Sequence, residues 1–161
     1  MIIGIMTDTH ENMPKIKKGV EIFNQNKIEL LIHCGDIISP ITFKEFKELN
    51  SKIKFVFGNN DGEKIFLIEK FKGKGEFYIS GSELEIDNKK FIIMHEPIAI
   101  EALAKSGKYD YIIYGHTHKQ DIRKEGRTMI INIGETGGWL TGKCNIGILD
   151  TNSGEIKIIE I

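Results

Sequence analysis

One tryptophan, two cysteines and three prolines are all that the 161 residues hold of those types. The cysteines, Cys34 and Cys144, stand in no C-x-x-C or zinc-finger spacing, which excludes a disulfide framework and a cysteine-built zinc site. Reduced thiols are the expectation. Long apolar runs are also missing, none approaching the ~20 residues of a membrane span. The opening MIIGIMTDTH has no basic leader, and its apolar run is too short for a signal core. These absences predict a cytoplasmic protein with no membrane partner. Neither sign of charge dominates: 22 Lys and Arg face 23 Asp and Glu, for a net charge of −1. That balance argues against a broad nucleic-acid surface, so no nucleic-acid partner is expected. Lysine outnumbers arginine about tenfold, a bias that thermophily and codon usage explain equally well.

What is present is an ordinary globular composition, 40% hydrophobic and 28% charged. The chain is long enough for one well-buried core, and no linker or repeat divides it, so residues 1–161 read as a single domain. Short β-branched runs alternate with helix-length segments. IIGIM (2–6), LLIHC (30–34) and IKFVFG (53–58) read as buried strands. Helices are predicted over 14–26, with Pro14 in the first turn and Ile16, Val20 and Phe23 on one face, over 41–49, and over 63–71. That alternation implies parallel strands joined by right-handed crossovers. The second half is richer in strands: EFYIS, SELEI and KFIIM with a turn at Asp87-Asn88, a helix at 98–106, DYIIYG, then QDIRKE, RTMIINI, CNIGILD and EIKIIEI. An α/β fold follows, with two sheets face to face and helices outside.

Five of the apolar runs share an ending. IIGIM leads to Thr7-Asp8-Thr9-His10, LLIHC to Gly35-Asp36, and FVF to Gly58-Asn59-Asn60-Asp61. FIIM leads to His95, and YIIY to Gly115-His116-Thr117-His118. Ligand sites in α/β sheets form beyond the carboxyl ends of strands. Taken singly, each ending has a plain reading, Gly-Asp and Gly-Asn-Asn-Asp as turns and His95 as a hydrogen-bonded surface residue. Taken together they place four of the five histidines on one rim. Asp8, His10, Asp36, Asn59, His95, His116 and His118 are more nitrogen and oxygen donors than one ion needs, and they suit two. A carboxylate such as Asp36 can give one oxygen to each. Mixed His, Asp and Asn donors favour Mn, Fe, Ni, Co or Zn over calcium. Thr7, Thr9 and Thr117 are candidates to orient these ligands by hydrogen bonds.

In this order the motifs Asp8-x-His10, Gly35-Asp36, Gly58-Asn59-x-Asp61, His95 and Gly115-His116-x-His118 resemble the calcineurin-like metallophosphoesterase family, in particular its small single-domain phosphodiesterases. The resemblance implies a four-layer α-β-β-α sandwich, two mixed β-sheets flanked by helices. It implies two divalent metal ions, one held by Asp8, His10, Asp36 and His118 and one by Asp36, Asn59, His95 and His116. It also implies hydrolysis of a small phosphoester, with a hydroxide shared by the two ions as nucleophile. Two divalent cations less Asp8, Asp36 and hydroxide leave a net charge of about +1, suited to a phosphate. Alternatives are a non-catalytic scaffold on the same fold, which the family includes, and a phosphomonoesterase or nuclease. The complete donor set favours an enzyme.

The chain departs from the family's pattern at three places. Asn60 stands where many members have a histidine; it can contact a phosphate oxygen but cannot supply a proton near neutral pH. Glu96-Pro97 follows His95 where relatives read His-Gly-His, and INIGETGGW replaces an Asn-Pro-Gly-Ser stretch. His33, inside a strand, reads as a core histidine, and Asp61 as a residue that orients the Asn59 loop. Trp139 is either a substrate-facing aromatic or an oligomer contact, a homo-oligomer being left open. Glu135 and Arg127 carry no signal.

Overall fold

The computed structural model describes residues 1–161. Eleven strands form two sheets. The first takes β1 (Ile2–Met6), β2 (Leu30–His33), β3 (Lys52–Val56), β4 (Gly75–Tyr78), β10 (Asn145–Asp150) and β11 (Glu155–Glu160), in the order β11-β10-β1-β2-β3-β4. The second takes β5 (Ser82–Ile86), β6 (Lys89–Ile93), β7 (Tyr111–Ile113), β8 (Gln120–Glu125) and β9 (Thr128–Ile133), in the order β5-β6-β7-β9-β8. Both are mixed. β1 to β4 run parallel while β10 and β11 pair antiparallel, and β6, β7 and β9 run parallel between two antiparallel edges. Outside the first sheet lie α1 (Met13–Gln25), α2 (Phe43–Phe46) and α3 (Lys64–Lys70); α4 (Ile100–Lys105) covers the second.

Strand alternation explains the layering. On β1, Ile3 and Ile5 point between the sheets, where they meet Ile32, Ile93, Ile113, Ile131 and Ile133. Met6, Leu31, Ile53 and Phe55 point the other way, toward Phe23, Phe46 and Phe71 beneath the helices. Central strands thus bury both faces, which is why they read as continuous apolar runs. α1 starts where Asn12 caps it, its side chain accepting from the Lys15 N–H, with Pro14 in the first turn. The Asp87-Asn88 turn between β5 and β6 has φ of 53° and 56°, the left-handed pair that a two-residue hairpin demands.

The helix predicted over 41–49 is shorter than its pattern. A 3₁₀ turn over Pro40–Thr42 leads into α2, and after Lys47 the bonds tighten to Glu48 N–H on Glu45 and Leu49 N–H on Phe46. Phe46 and Leu49 still bury, so the apolar pattern reported packing and not helix length. No helix is long and apolar enough to cross a membrane.

Candidate metal centre

The carboxyl ends of β1, β2 and β3 in one sheet and of β6 and β7 in the other meet at one rim, and the seven donors gather there. Asp8, Asp36 and His95 are fully buried, while His10, His116 and His118 reach an open cleft of ≈ 570 Å³. Asp36 Oδ2 lies 3.5 Å from His10 Nε2 and 3.5 Å from His95 Nε2. Asp8 Oδ1 lies 3.3 Å from His118 Nε2 and 3.9 Å from His10 Nε2. Asn59 Oδ1 faces His95 Nε2 at 2.9 Å and His116 Nδ1 at 3.0 Å. Asp8, His10 and His118 form one group whose ligand atoms lie within 4.8 Å of one another, and Asp8, Asp36 and His95 form a second.

Close approach demands glycine at two of the motifs. A Cβ at Gly58 would collide with the Asp36 carboxylate and backbone, and one at Gly115 with Thr7 Oγ1 and Asp8. Five of the seven donors sit in strained backbone. Asp8, His10, Asp36, His116 and His118 have φ of 51°, 42°, 58°, 65° and 56°. Non-glycine residues visit that region rarely, at a cost of about 1–3 kcal/mol each, and such residues cluster at functional sites.

The residues fit divalent cations on three counts. First, Asp8 Oδ1 and His10 Nε2 are buried without a hydrogen-bond partner, an arrangement that is costly unless something else satisfies them. Second, the carbonyl of Cys34 can only accept, so His95 Nδ1, 2.7 Å away, carries the proton. That turns Nε2 toward Asn59 Oδ1 and Asp36 Oδ2, 2.9 and 3.5 Å away, so a ring nitrogen and two oxygens converge as the ligands of a cation do. Third, donors ~2.1 Å from one ion at tetrahedral or octahedral angles stand about 3.0–3.4 Å apart, close to the separations found here. The electrostatics agree. Burial works against ionisation of Asp8, yet the neighbouring His118 and a hydrogen bond from Thr7 outweigh it and hold the carboxyl below its ordinary value. Asp8 in turn raises His118, against desolvation and with help from Glu135. The site favours positive charge.

The neighbours divide into those read from sequence and those missed. Thr7 donates from Oγ1 to Asp8 Oδ2 at 2.5 Å, and Thr9 Oγ1 contacts His33 Nε2 at 3.1 Å. Thr117 instead binds the Asn132 amide, away from the ligands. His33 is a core residue between Phe46 and Phe55, its pKa pushed down to about 3 by burial. Asp61 accepts from the N–H groups of Ile38 and Gly58, at 2.7 Å each, and so braces the Asn59 turn. Asn60 does not stand free in the cleft: its backbone N–H and its amide both donate to Asp36, at 2.9 and 2.7 Å.

Glu135 was missed. It is buried, its Oε2 3.0 Å from His118 Nδ1, and its Oε1 accepts from the N–H groups of Leu140 and Thr141 and from the Thr141 hydroxyl. The signal was available, because Gly134-Glu135 follows β9 as Gly35-Asp36 follows β2. Desolvation raises the Glu135 carboxyl, but Thr141 and His118 bring it below its ordinary value, so it stays ionised and orients His118. Glu135→Gln is expected to weaken metal binding about ten- to a hundredfold, read by calorimetric titration, with the fold retained.

Residues 1–154 match the calcineurin-like phosphoesterase superfamily domain. A phosphodiesterase of Methanocaldococcus jannaschii is 45% identical over 163 residues, spanning 99% of this chain and 98% of its own. The solved structure of an archaeal phosphodiesterase superposes with a TM-score of 0.94 at 43% identity, covering 100% of both chains. Vps29 of Entamoeba histolytica, complexed with zinc, superposes with a TM-score of 0.69 at 18% identity, over 100% of this chain and 98% of its own. That last likeness is one of fold.

Proposed function

We propose, on the premise that this chain belongs to the calcineurin-like phosphoesterase superfamily, that it hydrolyses phosphodiesters at a centre of two divalent ions. The observation that carries the reading is Asp36, whose Oδ2 stands 3.5 Å from a histidine on each side, His10 and His95. Asp8, His10, Asp36 and His118 would hold one ion, and Asp36, Asn59, His95 and His116 the other. Mn, Ni, Fe, Co and Zn all suit the donors. When bound, such ions acidify water and polarise phosphoryl oxygens.

The chain's own residues supply position and charge. The buried carboxylates of Asp8 and Asp36 offset part of the ionic charge, so the centre attracts a phosphate without gripping its product too tightly. The Cys34 carbonyl and Glu135 fix the rings of His95 and His118 with Nε2 pointing inward. Asn60, which lines the cleft, would turn its amide to a phosphate oxygen when the Asp36 oxygens are otherwise engaged. An amide cannot protonate a departing alkoxide, so diesters with good leaving groups should exceed alkyl monoesters as substrates.

Metal analysis joined to a panel of diesters and monoesters, run with Mn, Ni, Mg and Zn, tests the proposal. Two ions per chain and preferential diester hydrolysis are expected; tightly bound metal with no phosphoester hydrolysis would favour the scaffold alternative. Asn60→His should move the preference toward monoesters about tenfold or more, since it adds a general acid beside the phosphate. An unchanged ratio of the two activities would remove Asn60 from the reaction.

A further inference from the structure

We propose that Trp139, with Leu140 beside it, is a stacking platform that selects phosphoesters whose organic group is a planar aromatic ring, a nucleobase above all. The inference rests on the hydrolase reading above and deepens it by naming what the phosphate carries.

The cleft has two unlike sides. His10, Asp36, His116 and His118 bring the metal donors to it, and Trp139 and Leu140 are the two hydrophobic residues of its lining. Both are left in water, Trp139 65% and Leu140 77% exposed. Exposed apolar side chains grouped at the mouth of a polar cleft mark a ligand surface. The indole has no stacking partner within the chain, neither another ring nor a cation over its face.

The platform is fixed relative to the chemistry. Trp139 Nε1 donates to the backbone carbonyl of His10 at 3.1 Å, so one edge of the ring is tied to a candidate metal ligand. Glu135 gathers the next two residues of the loop, accepting from Leu140 N–H at 3.1 Å and Thr141 N–H at 2.6 Å, and its other oxygen binds His118. A ring anchored at its edge presents its face. A flat, unpaired π face held beside a phosphate centre matches a nucleobase joined to that phosphate through a sugar, and every base can stack on it.

Trp139 is the chain's one tryptophan, so selectively excited emission reports this ring alone. Metal-loaded protein would be titrated with adenosine monophosphate, ribose 5-phosphate and inorganic phosphate, followed by calorimetry and emission. Adenosine monophosphate should quench the emission and bind about tenfold tighter than ribose 5-phosphate, the scale of one base stacked on one ring. Trp139→Ala should erase that difference, with a much smaller loss for inorganic phosphate, and Trp139→Phe should restore part of it. Equal affinities for the two sugar phosphates, or equal losses for all three ligands in Trp139→Ala, would overturn the platform while leaving the hydrolase reading intact. Emission that follows protein concentration and ignores adenosine monophosphate would overturn it too, by marking a contact between copies. If neither sugar phosphate binds and no diester of the panel is hydrolysed, the hydrolase reading falls first and the platform with it.

Discussion

Asp36→Ala is expected to abolish paired metal occupancy and to lower phosphodiester hydrolysis by about three orders of magnitude or more. Its Oδ2 stands 3.5 Å from one histidine of each proposed ligand set, His10 and His95, so its loss opens the position the two sets share. The substitution also strips the Asn60 N–H and amide of their acceptor. A donor left without a partner costs about 1–3 kcal/mol, so a modest loss of stability should accompany the loss of function. Asp36→Asn separates the two effects: it keeps the shape and gives up one charged oxygen, and it should fold normally while still failing to hold two ions. Elemental analysis after desalting counts the ions, and a chromogenic diester reports turnover. Two ions and full turnover in Asp36→Ala would end the bridging assignment.

Gly115→Ala should lower activity about a hundredfold without replacing a single donor, because a shift near 1 Å in a positioned group costs that much. The added methyl would collide with Thr7 Oγ1 and come within 2.7 Å of Asp8 Oδ2 and 2.8 Å of the Cys34 carbonyl. All three belong to backbone or to side chains held in place, so none can swing aside. The exit of β7 must therefore move away from the exits of β1 and β2, taking His116 and His118 from Asp8. Gly62→Ala is the control: its Cβ would meet nothing closer than the Ile38 carbonyl at 3.8 Å, and it should behave as the parent does. Equal activity of the two variants would show that the strand exits tolerate separation.

Most of the candidate site was legible because each donor follows an apolar run by one to four residues, and strand exits converge in this class of fold. The pairing of strands was less so. EFYIS, SELEI and KFIIM look alike as a series, yet β4 joins the first sheet beside β3 while β5 opens the second. The half-buried pattern of β4 is what an edge strand on either sheet would show. Glu135 escaped notice because one acid after one strand is common, and its role depends on Thr141 and Leu140 lying in a loop that no periodicity describes. The left-handed conformations of Asp8, His10, Asp36, His116 and His118 had no sequence signal, since none of these positions is glycine. Asn60 was read by position in the motif, and its grip on Asp36 could be seen only in three dimensions.

β1 lies between β2, next in the chain, and β10, made more than a hundred residues later. During biosynthesis the strand that leads to Asp8 and His10 therefore waits for its second neighbour while more than a hundred further residues are made. His116 and His118 arrive late as well. Until those residues are made the candidate metal centre cannot assemble, so a cation could reward only a molecule whose two sheets have already met.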